Sequence, residues 1–104
     1  MHGPTTREEA RKWIREAVAA GRYSYPSHFS ARLFERKVTL PDVLCAVKRC
    51  RLVEPYTEPP HHDGTCWRVF GRDLDQRELG IGVEAYTDDS GRKVVLVTVF
   101  LPER

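Results

Sequence analysis

Apolar positions recur along the chain at two periods, helical in the first half and alternating in the second. Ala10, Trp13, Ile14, Ala17 and Val18 fall at helical spacing and build one stripe. Thr6-x-x-Glu9 has the form of a capping box, in which the hydroxyl accepts from a first-turn N–H and the glutamate returns to the cap. Thr5-x-x-Glu8 offers the same device one residue earlier. Gly21 ends this helix by entering the left-handed region. Tyr23-Ser24-Tyr25-Pro26 reads as a short extended link, because proline disfavours helix in the residue before it. Ser27 then caps a second helix running to about Lys37, with Phe29 and Leu33 on its apolar side. Thr39-x-x-Asp42 caps a third, whose stripe of Leu40, Val43, Leu44 and Val47 ends near Cys50. Pro41 is tolerated there because first-turn N–H groups have no intrahelical partner.

From Arg51 the period falls to two. Leu52-Val53 opens a strand curtailed by Pro55, and residues 59–64 have the composition of a loop. Cys66 to Phe70 reads as a second strand. In the third, Leu79, Ile81, Val83 and Ala85 alternate with Gly80, Gly82, Glu84 and Tyr86, the pattern of a half-buried strand. The Gly80-x-Gly82 pair inside it predicts close approach of a neighbour or a bulge. Asp88-Asp89-Ser90-Gly91 makes a hairpin loop, and Val94 to Leu101 is a nearly unbroken β-branched run fitting a central strand covered on both faces. The expected architecture is α+β: three N-terminal helices packed on one face of a four-stranded, mainly antiparallel sheet. It is read as a single domain over 1–104, helical from about 5 to 50 and sheet from about 51 to 101.

Composition narrows the class further. At 104 residues, with 40% hydrophobic positions, the chain is long enough for one core without a metal or disulfide staple. No apolar run has the length of a membrane span, so no membrane partner is expected. Cys45, Cys50 and Cys66 are odd in number and lack secretory context, which points to a reduced cytoplasmic protein with Cys45 in the core. A formal charge of +2 is too mild to announce nucleic-acid binding. Thirteen of the seventeen basic residues are arginine, which suits bidentate contacts to carboxylate or phosphate and also follows from a GC-rich genome.

Ser27-His28-Phe29, Arg32, Glu35-Arg36, Val38 and Asp42-Val43 resemble the helix signature of domain-of-unknown-function family 4258. Trp67-Arg68-Val69-x-Gly71 and Val97-Thr98-Val99 look like its strand motifs, so the resemblance covers about residues 6–101. The family is similar in arrangement to small bacterial toxins of the RelE and BrnT kind, compact α+β ribonucleases neutralised by an antitoxin. The resemblance therefore implies a RelE-like fold, with an antitoxin protein and RNA as partners. It carries no established catalytic residue across. Lys37 stands where a glycine often follows the Glu-Arg pair, which predicts a slightly longer second helix.

Site candidates therefore rest on chemistry. RNA cleavage without a metal needs a group to activate the 2′-hydroxyl, an acid for the leaving oxygen and cations on the phosphorane. His28 is the acid–base candidate, with Arg32 and Arg36 to hold the phosphate. The same residues, with Glu35, also fit a solvated helix face carrying weak ion pairs. Arg68, Arg72, Tyr86 and Lys93 are candidates for substrate binding on the sheet, the arginines at phosphate and the tyrosine under a base. Solvent-face strand residues look alike. His61, His62, Asp63 and Cys66 lack the paired spacing of a structural zinc site and read better as an exposed loop, so no metal and no cofactor are expected. There is no glycine-rich phosphate loop and no nucleophile elbow. Two functions remain open: a metal-independent ribonuclease of a toxin–antitoxin system, or a non-catalytic domain that binds a protein partner or itself as a homodimer.

Overall fold

The computed structural model describes residues 3–101, so the outermost residues of the expected 1–104 span lie outside the description. Helix α1 spans Arg7–Ala19, α2 Ser27–Arg36 and α3 Leu40–Lys48. Thr6 caps α1 by accepting from the Glu9 N–H, while the Glu9 carboxylate reaches one residue further back, to the N–H and hydroxyl of Thr5. Both threonines are thus used. In α3 the capping box is complete, Thr39 and Asp42 each bonding the other's backbone N–H. Helix α2 departs from expectation at both ends. Pro26 holds its cap position without a side-chain bond, and Ser27 is already helical. At the other end Lys37 takes the left-handed conformation at φ 56° instead of prolonging the helix. The Val38 N–H then bonds the Leu33 carbonyl and the Lys37 N–H that of Phe34, the closure a glycine would ordinarily make.

Five strands follow the order β1-β5-β4-β3-β2: β1 Tyr23–Ser24, β2 Leu52–Pro55, β3 Thr65–Arg72, β4 Glu78–Asp88 and β5 Gly91–Phe100. The class is α+β as expected, but the sheet has five strands and is mixed. The segment read as a link is a strand, Tyr23 and Ser24 pairing in parallel with Val94 and Val95. The other neighbours are antiparallel. The middle position also differs from expectation. It belongs to β4, buried without interruption from Leu79 to Ala85, whereas β5 lies one place off centre and alternates, with Val94, Leu96 and Val99 inside. Apolar content alone misleads here, because β4 is covered on its second face by neighbours lying over glycines. The Phe100 ring occupies the space above Gly80, and a Cβ at Gly82 would come within 2.8 Å of Thr98 Cγ2 and 2.9 Å of the Tyr56 ring. The ladder to β5 shifts register between Gly82 and Val83.

One core cluster joins the helices to the sheet. It takes Trp13, Ile14 and Val18 from α1, Phe29 and Leu33 from α2, and Val43 and Val47 from α3, against Val69, Leu79, Ile81, Val83 and Leu96. Trp13 Nε1 donates to the Lys93 carbonyl at 3.3 Å, and Arg92 lies 4.4 Å over the Trp13 ring, fastening α1 to β5. Gly71 lets α3 lie directly on β3, since any side chain there would overlap the Ala46 backbone. Cys50 is fully buried in this core, whereas Cys45, expected there, is half-buried beside Arg49. All three cysteines are free. Among the described residues no helix is long and apolar enough to cross a membrane.

Candidate functional site

The sheet face away from α1 and α3 carries Cys66, Arg68 and Phe70 from β3, Gly80, Gly82 and Glu84 from β4, and Val95, Thr98 and Phe100 from β5. The connection between β2 and β3 crosses part of it. There the Glu84 carboxylate, 2% exposed, accepts backbone N–H bonds from His61 at 2.9 Å, His62 at 2.8 Å and Gly64 at 3.0 Å. The His62 ring stacks on Tyr86 with centroids 4.5 Å apart. A polar residue at an alternating strand position looks solvent-facing in sequence; here the loop folds over it and supplies its donors. Burial pushes the Cys66 thiol up to about 11, with the Glu84 and Glu58 charges adding to the effect. Burial likewise raises Cys50 to about 11 against the opposing pull of Arg15 and Arg11. Among the described residues no three histidine, cysteine or acidic side chains stand at metal-ligand spacing. His61 and His62 hold the loop through their backbone N–H groups, and His62 also through its ring on Tyr86.

The seven site candidates separate into five settings. His28, Arg32 and Arg36 share the exposed side of α2, one turn apart in succession. No ion pair joins them to Glu35 or to any other described carboxylate. Arg68 is committed within the chain: its guanidinium pairs with Glu54 and lies 5.8 Å from the centre of the Tyr56 ring. Its Nε is buried without a partner. Tyr86 lies under His62, and its hydroxyl is held above the ordinary phenol range by burial and by the Asp88 and Glu84 charges. Lys93 pairs with Asp88 at 3.7 Å. Arg72 stands in a different place, at the end of β3.

There Arg72 meets two arginines that the sequence reading passed over. Arg49, Arg51 and Arg72 line a hollow of about 590 Å³ where α3 ends, β2 begins and β3 ends. Phe70 and Leu52 give it apolar walls, and among the described residues Glu78 is the one acidic side chain in its lining. The close seat of α3 on Gly71 brings Arg49 towards Arg72, and the Arg51 N–H bonds the Phe70 carbonyl at 3.4 Å. No ion pair neutralises any of the three among the described residues. The run Lys48-Arg49-Cys50-Arg51 was the available signal, but only the pairing of β2 with β3 carries it to Arg72. In the sheet order, β2 and β3 lie on one side of β4, while α2 packs near β5 on the other, so the hollow and the α2 row are separate.

Residues 25–101 match the family described as Domain of unknown function (DUF4258). No curated protein and no solved structure matches the chain.

Proposed function

The chain belongs to the DUF4258 family, and from that premise we propose that it is a toxin-like domain acting on RNA as a metal-independent ribonuclease. The observation that carries this reading is the row His28, Arg32, Arg36: one imidazole and two guanidiniums on one exposed helix face, with no carboxylate among the described residues paired with them. An imidazole titrates near neutrality and so serves as acid or base where the 2′-hydroxyl attacks phosphorus and the 5′-oxygen leaves. Two guanidiniums one turn apart hold the phosphate and offset the charge gathering on it. Arg68 is paired with Glu54 on β3, across β4 from the side where α2 packs, so its part is secondary.

The test is induced expression of the wild type and His28→Ala in bacteria, with primer extension on abundant mRNAs. Wild-type cuts and growth arrest that vanish in the variant are the expected result. His28 is exposed, so the substitution leaves the core untouched. Equal growth and intact RNA in both strains sink the reading.

A second reading, a non-catalytic protein-interaction domain, has its own observation. Phe34 on α2 is 87% exposed and Leu74, in the turn after β3, 62%. Apolar side chains so exposed suit contact with a partner or a second copy. Capture of a partner that Phe34→Ser abolishes, with growth unaffected by wild-type expression, moves the assignment there.

A further inference from the structure

We infer that the hollow between Arg49, Arg51 and Arg72 is a nucleotide-binding site that holds the phosphodiester backbone of single-stranded RNA and receives a base against Phe70 and Leu52. The inference takes RNA as the polymer from the reading above but does not need the cut. Two arginines of the α3–β2 connection and one at the end of β3 converge on one concavity, whose lining among the described residues holds a single acidic side chain, Glu78. Guanidiniums around one hollow, with no ion pair to a described carboxylate, repel one another, and an anion at their centre relieves that repulsion. The charged hollow on the outer face of α1 differs: Glu8 and Glu16 stand among Arg11, Lys12, Arg15 and Lys48, so the chain meets part of that charge itself.

Volume and chemistry narrow the ligand. About 590 Å³ falls within the range of small-ligand sites and exceeds what a lone phosphate fills. The apolar walls sit beside the arginines. Phe70 is only half-buried, its ring edge-on to Phe100 at 5.9 Å, and Leu52 is half-exposed. A flat aromatic next to phosphate-binding guanidiniums suits an unstacked base joined to its phosphate. An acidic peptide would use the arginines and leave that surface idle.

The experiment is fluorescence anisotropy with a labelled single-stranded oligoribonucleotide, titrated over a range of salt concentrations. The proteins are the wild type, the triple variant Arg49→Gln/Arg51→Gln/Arg72→Gln and the triple lysine variant. All three arginines are exposed, and melting curves check that the fold is kept. Losing three phosphate contacts should weaken binding about tenfold or more and make the logarithmic salt dependence shallower by about 2. The lysine variant, which keeps charge without the planar fork, should fall between. A backbone lacking bases should bind the wild type more weakly than the intact strand. Wild-type binding without cuts leaves the hollow standing while removing the cleavage reading, and cuts with unchanged binding in the triple glutamine variant overturn it. Absence of RNA binding by the wild type also overturns it. So does displacement of the strand by polyglutamate at equal charge concentration.

Discussion

Glu84 does more for the shape of the site than any residue chosen for its chemistry. Its carboxylate is the common acceptor for three N–H groups of the β2–β3 connection, and replacing it by alanine leaves those donors without a partner. Glu84→Ala should cost about 3 kcal/mol, read from urea unfolding, and Glu84→Gln less, because one oxygen still accepts. A loss under about 1 kcal/mol would show that the loop is held in place by other means. Asp42 allows a test by pH. Burial works to raise its carboxyl, but the Thr39 hydroxyl and N–H, the Leu74 N–H and the nearby Arg77 outweigh burial and leave it below the usual range. A carboxyl lowered by folding stabilises in full above its unfolded value of about 4, and that contribution is lost as pH falls through the lowered folded value. The stability gap between wild type and Asp42→Asn should therefore be constant near neutrality and close progressively in acid. A gap that widens in acid contradicts the assignment.

At the scale of elements, the end of α2 makes the sharpest prediction. Lys37 sits at φ 56°, where a side chain costs about 1 kcal/mol and glycine nothing. Lys37→Gly should stabilise by about that amount, seen as a higher urea midpoint with an unchanged slope. Unchanged or lower stability would mean that the lysine side chain repays its backbone strain. The helices were legible from sequence because their causes are local: stripes at helical spacing, the Thr6 and Thr39 caps, the Gly21 stop. Strand positions β2 to β5 were legible for a similar reason, alternation bounded by turn residues. What stayed hidden depends on distant partners. Two residues, Tyr23 and Ser24, have no strand signature of their own and become β1 only beside Val94 and Val95. Gly80 and Gly82 do announce a close approach or a bulge, but which neighbours close over them, Phe100, Thr98 and Tyr56, stayed hidden. The α2 row was legible as a row, because three positions four apart need only helix geometry. The arginine hollow was not, since Arg72 reaches Arg49 and Arg51 through strand pairing and the seat of α3 on Gly71.

For the molecule as a whole, the mild net charge of +2 averages over an uneven distribution. Cations gather where α1, α3 and β2 adjoin: Arg15 donates to the Lys48 carbonyl at 2.9 Å, and Arg49 and Arg51 follow at once along the chain. Net charge is thus a poor guide to partners when one end of a sheet collects the arginines. The placement of β5 also bears on synthesis. This strand, which follows every other element of the fold in chain order, is inserted between β1 and β4, and the Trp13 indole of α1 bonds to its Lys93 carbonyl. The helices precede in the chain the strand that fastens them, so a nascent chain should lack a stable resting form until residues 91–100 are free of the tunnel. Chains stalled before Gly91 should be cut by protease throughout, and chains released past Phe100 should become resistant in one step.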